Sequence, residues 1–162
     1  MNVLQTTIQR VAASSPGAAF FRTTRIDVQD RLVHRLTGGR ATVTGVFAAF
    51  PVVFVTTTGA HSGRPHTVPL IAVPDEGRPG RIALVASNFG QGHDPDWCHN
   101  LRAWPEARVG KDLYAAEEVR GEAWDRWFDC ASRIYLGYPP YRSRAGRHIP
   151  IFELTPGAPD MR

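Results

Sequence analysis

The stretch PVVFVTTTGAHSGRPHTVPLIAV, Pro51 to Val73, decides the fold of this 162-residue chain. Its first part, Pro51 to Thr58, is rich in β-branched residues and bounded by Pro51 and Gly59, the composition of a strand that runs into a turn. His66 to Val73 repeats that character after the tight Gly59-to-Pro65 connection, so the two segments predict a β-hairpin. A third strand is expected at Arg81 to Ser87 (RIALVAS), beyond the turn-forming segment Pro74 to Gly80.

Working outward, Asp94-Pro95-Asp96 predicts a capping side chain and then a proline at the first helical position of a short helix, Trp97 to Trp104, closed by Pro105. Ala107 to Val119 reads as a weaker strand, bent or broken near Gly110. Glu122 to Tyr135 places Trp124, Trp127, Phe128, Ala131 and Tyr135 on one helical face. Gly137, Pro139 and Pro140 are read as breaking that helix at its end, and Ile149 to Leu154 (IPIFEL) supplies a last strand. Upstream, residues 1–24 read as a loosely held arm, and Asp27 caps a short amphipathic helix through Val28, Leu32, Val33 and Leu36. The apolar run Val46 to Val55 is short, holds Pro51 and reads as core. Strands that pair mostly in sequence, with short helices between them, point to an α+β, mainly β, architecture. The expected sheet is antiparallel or mixed and curls into a barrel, which excludes a doubly wound βαβ fold. One domain is expected, with residues 1–50 as an arm and helix packed on a barrel core of residues 51–156.

With 43% hydrophobic and 21% charged residues the composition is that of a soluble globular protein. Residues 1–9 lack a charged segment followed by an apolar one, so a cytoplasmic, reducing compartment is expected, with Cys98 and Cys130 as free thiols. A formal charge of +4 favours anionic ligands. Because the arginines are dispersed, a local anion pocket is expected and no nucleic-acid partner.

Three constellations carry chemistry. Thr56 to His66 is a hydroxyl-rich strand end that enters a glycine-punctuated turn bearing His61, Arg64 and His66, a pattern that aims N–H groups and cations at an anion; a merely polar hairpin loop is the alternative. Ala86 to Gly92 sets small and amide-bearing residues where a strand ends, and a flat heteroaromatic ring would fit against such backbone. Tyr135, Tyr138 and Tyr141 present phenols able to stack on a ring or to donate to a carbonyl or nitro oxygen; plain aromatic packing is the alternative. Cys98 and His99 are adjacent on a helix and diverge by roughly 100°, so no metal site is expected. The chain has no hydrolase elbow, C-x-x-C pair or dinucleotide fingerprint.

In order along the chain, PVVFVTTTGAHSGRPHTVPL (Pro51 to Leu70), VASNFGQGHDPDWCHNLRAWPEA (Val85 to Ala107) and IYLGYPPYRSRAGRHIPIFEL (Ile134 to Leu154) resemble the signature blocks of the deazaflavin-dependent nitroreductase family. The resemblance implies a split β-barrel related to the flavin-binding barrels, with coenzyme F420 in place of a flavin. It also implies hydride delivery from the reduced coenzyme to a small electron-poor acceptor: a quinone, an enone or a nitroaromatic. An FMN-binding barrel and a non-catalytic coenzyme-binding protein are the alternatives. Carried over by residue, His61, Ser62, Gly63, Arg64, Pro65 and His66 would hold the coenzyme's phosphate and acidic tail. Ala86, Ser87, Asn88, Phe89 and Gly90 would flank the ring, and Trp97 would close one wall. Tyr135, Tyr138 and Tyr141 would line the substrate side, with Tyr135 or Tyr138, together with Ser87, hydrogen-bonding the developing oxyanion. The chain departs from the family at His61 and His66, where arginine or lysine is usual, and at Cys98, where tyrosine is usual. An imidazole loses its charge within the physiological range and a guanidinium does not, so a weaker, pH-sensitive clamp is expected. A homodimer and a peripheral membrane contact through the N-terminal arm stay open.

Overall fold

In the computed structural model, which describes residues 50–157, the expected hairpin is β1 (Val52–Thr58) and β2 (Pro65–Pro74), paired antiparallel from Val52↔Ile71 to Thr58↔Pro65. The expected arm and the helix from Asp27 lie outside the described residues. The remaining strands are β3 (Ile82–Val85), β4 (Glu106–Val109), β5 (Asp112–Val119) and β6 (Ile151–Pro156). They close in the order β1-β2-β3-β6-β5-β4, and every pairing is antiparallel, which settles the antiparallel-or-mixed alternative. The break expected near Gly110 is the turn that divides Ala107 to Val119 into β4 and β5.

Alternation along the strands builds two cores. Val55, Leu84, Ala107, Phe152 and Leu154 point into the barrel. Val73, Ala83, Val85 and Ile151 point outward and are covered by α2 (Gly121–Ile134) and α3 (Tyr138–Ala145). RIALVAS reads as continuously apolar because both of its faces are buried. The face expected on α2 is the one that packs: Trp124, Trp127, Phe128 and Ala131 are all buried. Both indoles are satisfied, Trp124 Nε1 donating to Ile149 O at 2.7 Å and Trp127 Nε1 to Glu153 Oε2 at 2.8 Å. Of the apolar run Val46 to Val55, residues 46–49 lie outside the described residues; in the rest, Val55 is sealed in the barrel while Phe54, opposite Pro69 on the outer wall, is 63% exposed.

The six strands bring their β1, β3 and β5 C-termini and their β2, β4 and β6 N-termini to one end of the barrel. There α1 (Asp96–Ala103) lies across the mouth, with Trp97, Cys98 and Leu101 plugging the interior. The start of α1 corrects the expected cap. Pro95 is the capping position, and no side chain caps the helix. Asp94 instead accepts ion pairs from Arg102 (2.7 Å) and Arg147 (2.6 Å), two cations that outcompete the helix N–H groups for its oxygens. A second correction concerns Pro139 and Pro140, which stand in the first turn of α3. N–H groups there need no intrahelical partner, so the prolines start a helix where a break was expected. No helix among the described residues is long and apolar enough to cross a membrane.

Candidate functional site

The barrel is not zipped along its whole length. β2 pairs with β3 only through Ala72, Val73 and Pro74, whereas Pro65 to Ile71 pair with β1 on one flank and, among the described residues, with no strand on the other. Pro65 and Pro69 fit that open edge, since proline has no N–H to give a second neighbour. At the start of the edge stands the basic turn. Gly59 N–H donates to Arg64 O (2.8 Å), Gly63 N–H to Gly59 O (2.9 Å), and Ser62 Oγ lies 3.2 Å from His66 Nε2. Gly59 is required by close approach, for a Cβ there would lie 2.9 Å from the His66 ring. All six residues from His61 to His66 are exposed, and Arg64 makes no ion pair among the described residues. The turn is therefore a preformed loop with an uncommitted guanidinium.

A residue that the sequence reading missed holds this turn to the barrel mouth. Asn100, on the buried side of α1 and 7% exposed, accepts Ala60 N–H at Oδ1 (2.8 Å) and donates from Nδ2 to Thr57 Oγ1 (3.0 Å). Its signal was a polar residue on an apolar helix face, three positions after Trp97 and beside Leu101.

Beyond β3 the chain makes a strained turn. Asn88 (φ 45°) and Phe89 (φ 54°, ψ 27°) are both left-handed and Gly90 follows at φ 76°. Each non-glycine residue there costs on the order of 1–2 kcal/mol, and such strain gathers at functional sites. The turn leans on α3. A Cβ on Gly90 would lie 3.2 Å from Tyr141 Cα, and the half-exposed Phe89 ring stands edge-on to Tyr141 at 6.2 Å. Ser87 is buried, and Asn88 donates from Nδ2 to His93 O (3.1 Å).

The three tyrosines come together behind this turn. Tyr135 and Tyr141 share a hydroxyl hydrogen bond of 2.8 Å, and the Tyr138 ring stands edge-on to Tyr135 at 5.2 Å. Gly137 makes room for them, because any Cβ there would enter the Tyr135 ring. Burial pushes all three phenols above their ordinary range, so they stay protonated and act as hydrogen-bond donors or acceptors. Tyr138 is 4% exposed, yet no group among the described residues hydrogen-bonds its hydroxyl. Such an orphan costs roughly 1–3 kcal/mol, and a ligand oxygen would remove that cost.

The remaining expected residues divide as follows. Ala86 and Ser87 join the left-handed turn to the barrel; both are buried, and Ala86 belongs to the barrel-interior cluster that also holds Trp97. Trp97 is 6% exposed inside the mouth, edge-on to Phe152 at 5.8 Å, so the structure sets it behind the mouth lining. Cys98 is fully buried beside it, and burial pushes its thiol up to about 12. Cys98 and Cys130 are both free thiols. Farther round α1 from Asn100, a cavity of about 710 Å³ is lined by Asp94, His99, Arg102, Glu118 and Arg147 among others. Its carboxylates are tied up by the arginines. Among the described residues no group of three or more His, Cys, Asp or Glu could hold a metal ion.

Comparison with known proteins bears on the fold and the family. Residues 26–156 match the family model described as F420H(2)-dependent quinone reductase. The F420H(2)-dependent quinone reductase Rv1261c of Mycobacterium tuberculosis is 31% identical over 132 residues, covering 77% of this chain and 80% of the relative. Among solved structures, one titled F420-H2 dependent reductase (FDR-A) superposes with a TM-score of 0.56 at 34% identity, covering 65% of this chain and 94% of its own. Another, titled a domain-swapped dimer, gives 0.58 at 32% identity and covers 80% and 98%.

Proposed function

Because the chain belongs to the F420H(2)-dependent quinone reductase family, and is thereby an F420-dependent oxidoreductase, we propose that it binds the reduced deazaflavin along the open edge of β2 and delivers hydride to a quinone-type acceptor. The observation that carries the reading is the placement of two loops at one barrel end. The uncommitted cationic turn begins the unpaired stretch of β2, and the strained turn, which leans on Tyr141 of the tyrosine cluster, stands past the end of β3.

The residues fit such a group. His61, Arg64 and His66, with the N–H groups of their turn, would hold its phosphate and acidic tail. Ala86, Ser87, Asn88, Phe89 and Gly90 would flank its ring, and the tyrosines would close the acceptor side. When bound, the reduced coenzyme supplies the hydride. The protein binds, orients and excludes water. The Tyr138 hydroxyl, buried and protonated, hydrogen-bonds the acceptor oxygen as charge develops there, a contact that can contribute about 3 kcal/mol. Ser87 is the second candidate donor.

The test is turnover. The full chain should oxidise reduced coenzyme F420 with menadione as acceptor and should not be saturated by FMN. Tyr138→Phe should keep coenzyme affinity while kcat falls at least about tenfold. Chain that folds but neither binds nor oxidises the coenzyme defeats the proposal. The relative titled a domain-swapped dimer supports association with a second copy, which sedimentation would report. A lipophilic quinone would suit a peripheral membrane contact through residues 1–50, tested by vesicle co-sedimentation.

A further inference from the structure

Arg147 lies between α3 and β6, and its side chain is 14% exposed. Its guanidinium is spent on one loop. Nη2 donates to Ala86 O at 3.0 Å and Nε to Gln91 O at 3.0 Å, while Nη1 reaches Asp94 Oδ1 at 2.6 Å and His148 O at 2.9 Å. Ala86 and Gln91 are the residues on either side of Ser87–Gly90, so one planar fork fixes both ends of the strained turn at a set separation. Tyr141 fixes its back through Gly90. Left-handed Asn88 and Phe89 persist only where their surroundings over-determine them, and these contacts do so together with the bonds of the Asn88 side chain to His93 O and Gln91 Nε2. Asp94 keeps the clamp neutral and in place.

We propose that Arg147 is a positioning residue for the coenzyme: it holds the turn in the left-handed shape that presents Ser87, Asn88 and Phe89 to the deazaflavin ring. The inference rests on the reading that this turn flanks the ring. It assigns Arg147 no contact with coenzyme or acceptor, and its charge is not what matters. A lysine, with one ammonium, cannot span two carbonyls and should not replace it.

The experiment is a double-mutant cycle on the full chain, read by coenzyme Kd and by hydrogen exchange of single amides. Arg147→Ala should raise the Kd about tenfold with kcat at saturation changed less than about threefold, and Arg147→Lys should recover little of the loss. In a Phe89→Gly background, where glycine adopts positive φ without strain, the same substitution should cost less than about threefold. In the coenzyme-free protein, exchange at Gly90 N–H and Gln91 N–H, which donate to Ser87 O and Asn88 O, should speed up in Arg147→Ala while Leu84 stays protected. If Arg147→Ala does not fold, Arg147→Lys carries the same comparisons. Equal losses in both backgrounds, full recovery with lysine, or unchanged exchange would overturn the clamp. A parent chain that binds no coenzyme refutes the function proposed above. An Arg147→Ala chain that binds the coenzyme as tightly as the parent refutes only this inference.

Discussion

Asn100 spends both ends of its amide on groups that water cannot reach easily, the Ala60 N–H and the Thr57 hydroxyl. Asn100→Ala strands both, so it should destabilise the fold by about 2 kcal/mol in denaturant unfolding. Thr57→Val, which removes only the buried hydroxyl, should cost less, about 1 kcal/mol. Coenzyme affinity should fall in the first variant more than in the second, because only the first releases the basic turn. A loss below about 0.5 kcal/mol for Asn100→Ala would show that the turn stands without it. The turn's composition was legible, since Gly59 and Gly63 among His61, Arg64 and His66 announce a polar loop whatever the fold. Its anchor was not, because Asn100 lies 40 residues from Ala60 and meets it only when the barrel closes. The same holds for Arg147, 61 residues from Ala86. The tyrosines were legible as a group through their spacing, but their burial depends on how α3 folds back over the wall.

At the level of elements, α1 is held in the mouth by charge as well as by its apolar face. Arg102 bridges Asp94 in the loop before α1 and Glu118 at the end of β5, the latter through two hydrogen bonds of 2.7 and 3.0 Å. Those bonds hold the Glu118 carboxyl below its ordinary range against a smaller opposing effect of burial. A carboxylate that binds its proton more weakly in the folded state gives its full stabilisation above the unfolded value of about 4.3 and loses it as pH falls further. Arg102 is 38% exposed, so solvent screening limits the pair to about 1 kcal/mol or less. Glu118→Gln should therefore lower stability modestly near neutrality, and the gap should narrow in thermal melts taken at about pH 4 and below. A gap of the same size in acid would mean shape, not charge, is what the glutamine spoils. Strands and the α2 face were readable because burial imposes a period on the sequence, 2.0 or 3.6 residues. Caps and helix starts were less so: Asp94-Pro95-Asp96 carries a capping signal that two arginines override, and Pro139-Pro140 carries a breaking signal that is also a starting one.

For the whole molecule, the barrel separates two tasks. Its interior and the α2–α3 layer bury the apolar residues, while the end capped by α1 gathers loops whose polar groups need not be buried. The formal charge of +4 adds a field that draws an anionic coenzyme to any face, while the turn at the open edge of β2 offers it an uncommitted guanidinium beside N–H groups. The general field is screened within a Debye length of about 10 Å at 0.1 M salt, and a seated contact is screened much less. Binding measured between about 20 and 300 mM salt should thus weaken steeply at first and then level off at an affinity set by local contacts. Arg64→Gln should weaken binding about tenfold at every salt concentration, removing the local part and leaving the slope nearly as it was. Replacing a distant cation such as Arg133 should do the reverse, flattening the slope slightly with no change at high salt. If Arg64→Gln and Arg133→Gln behave alike, the coenzyme is held by the field of the whole protein, and the turn is only one cation among many.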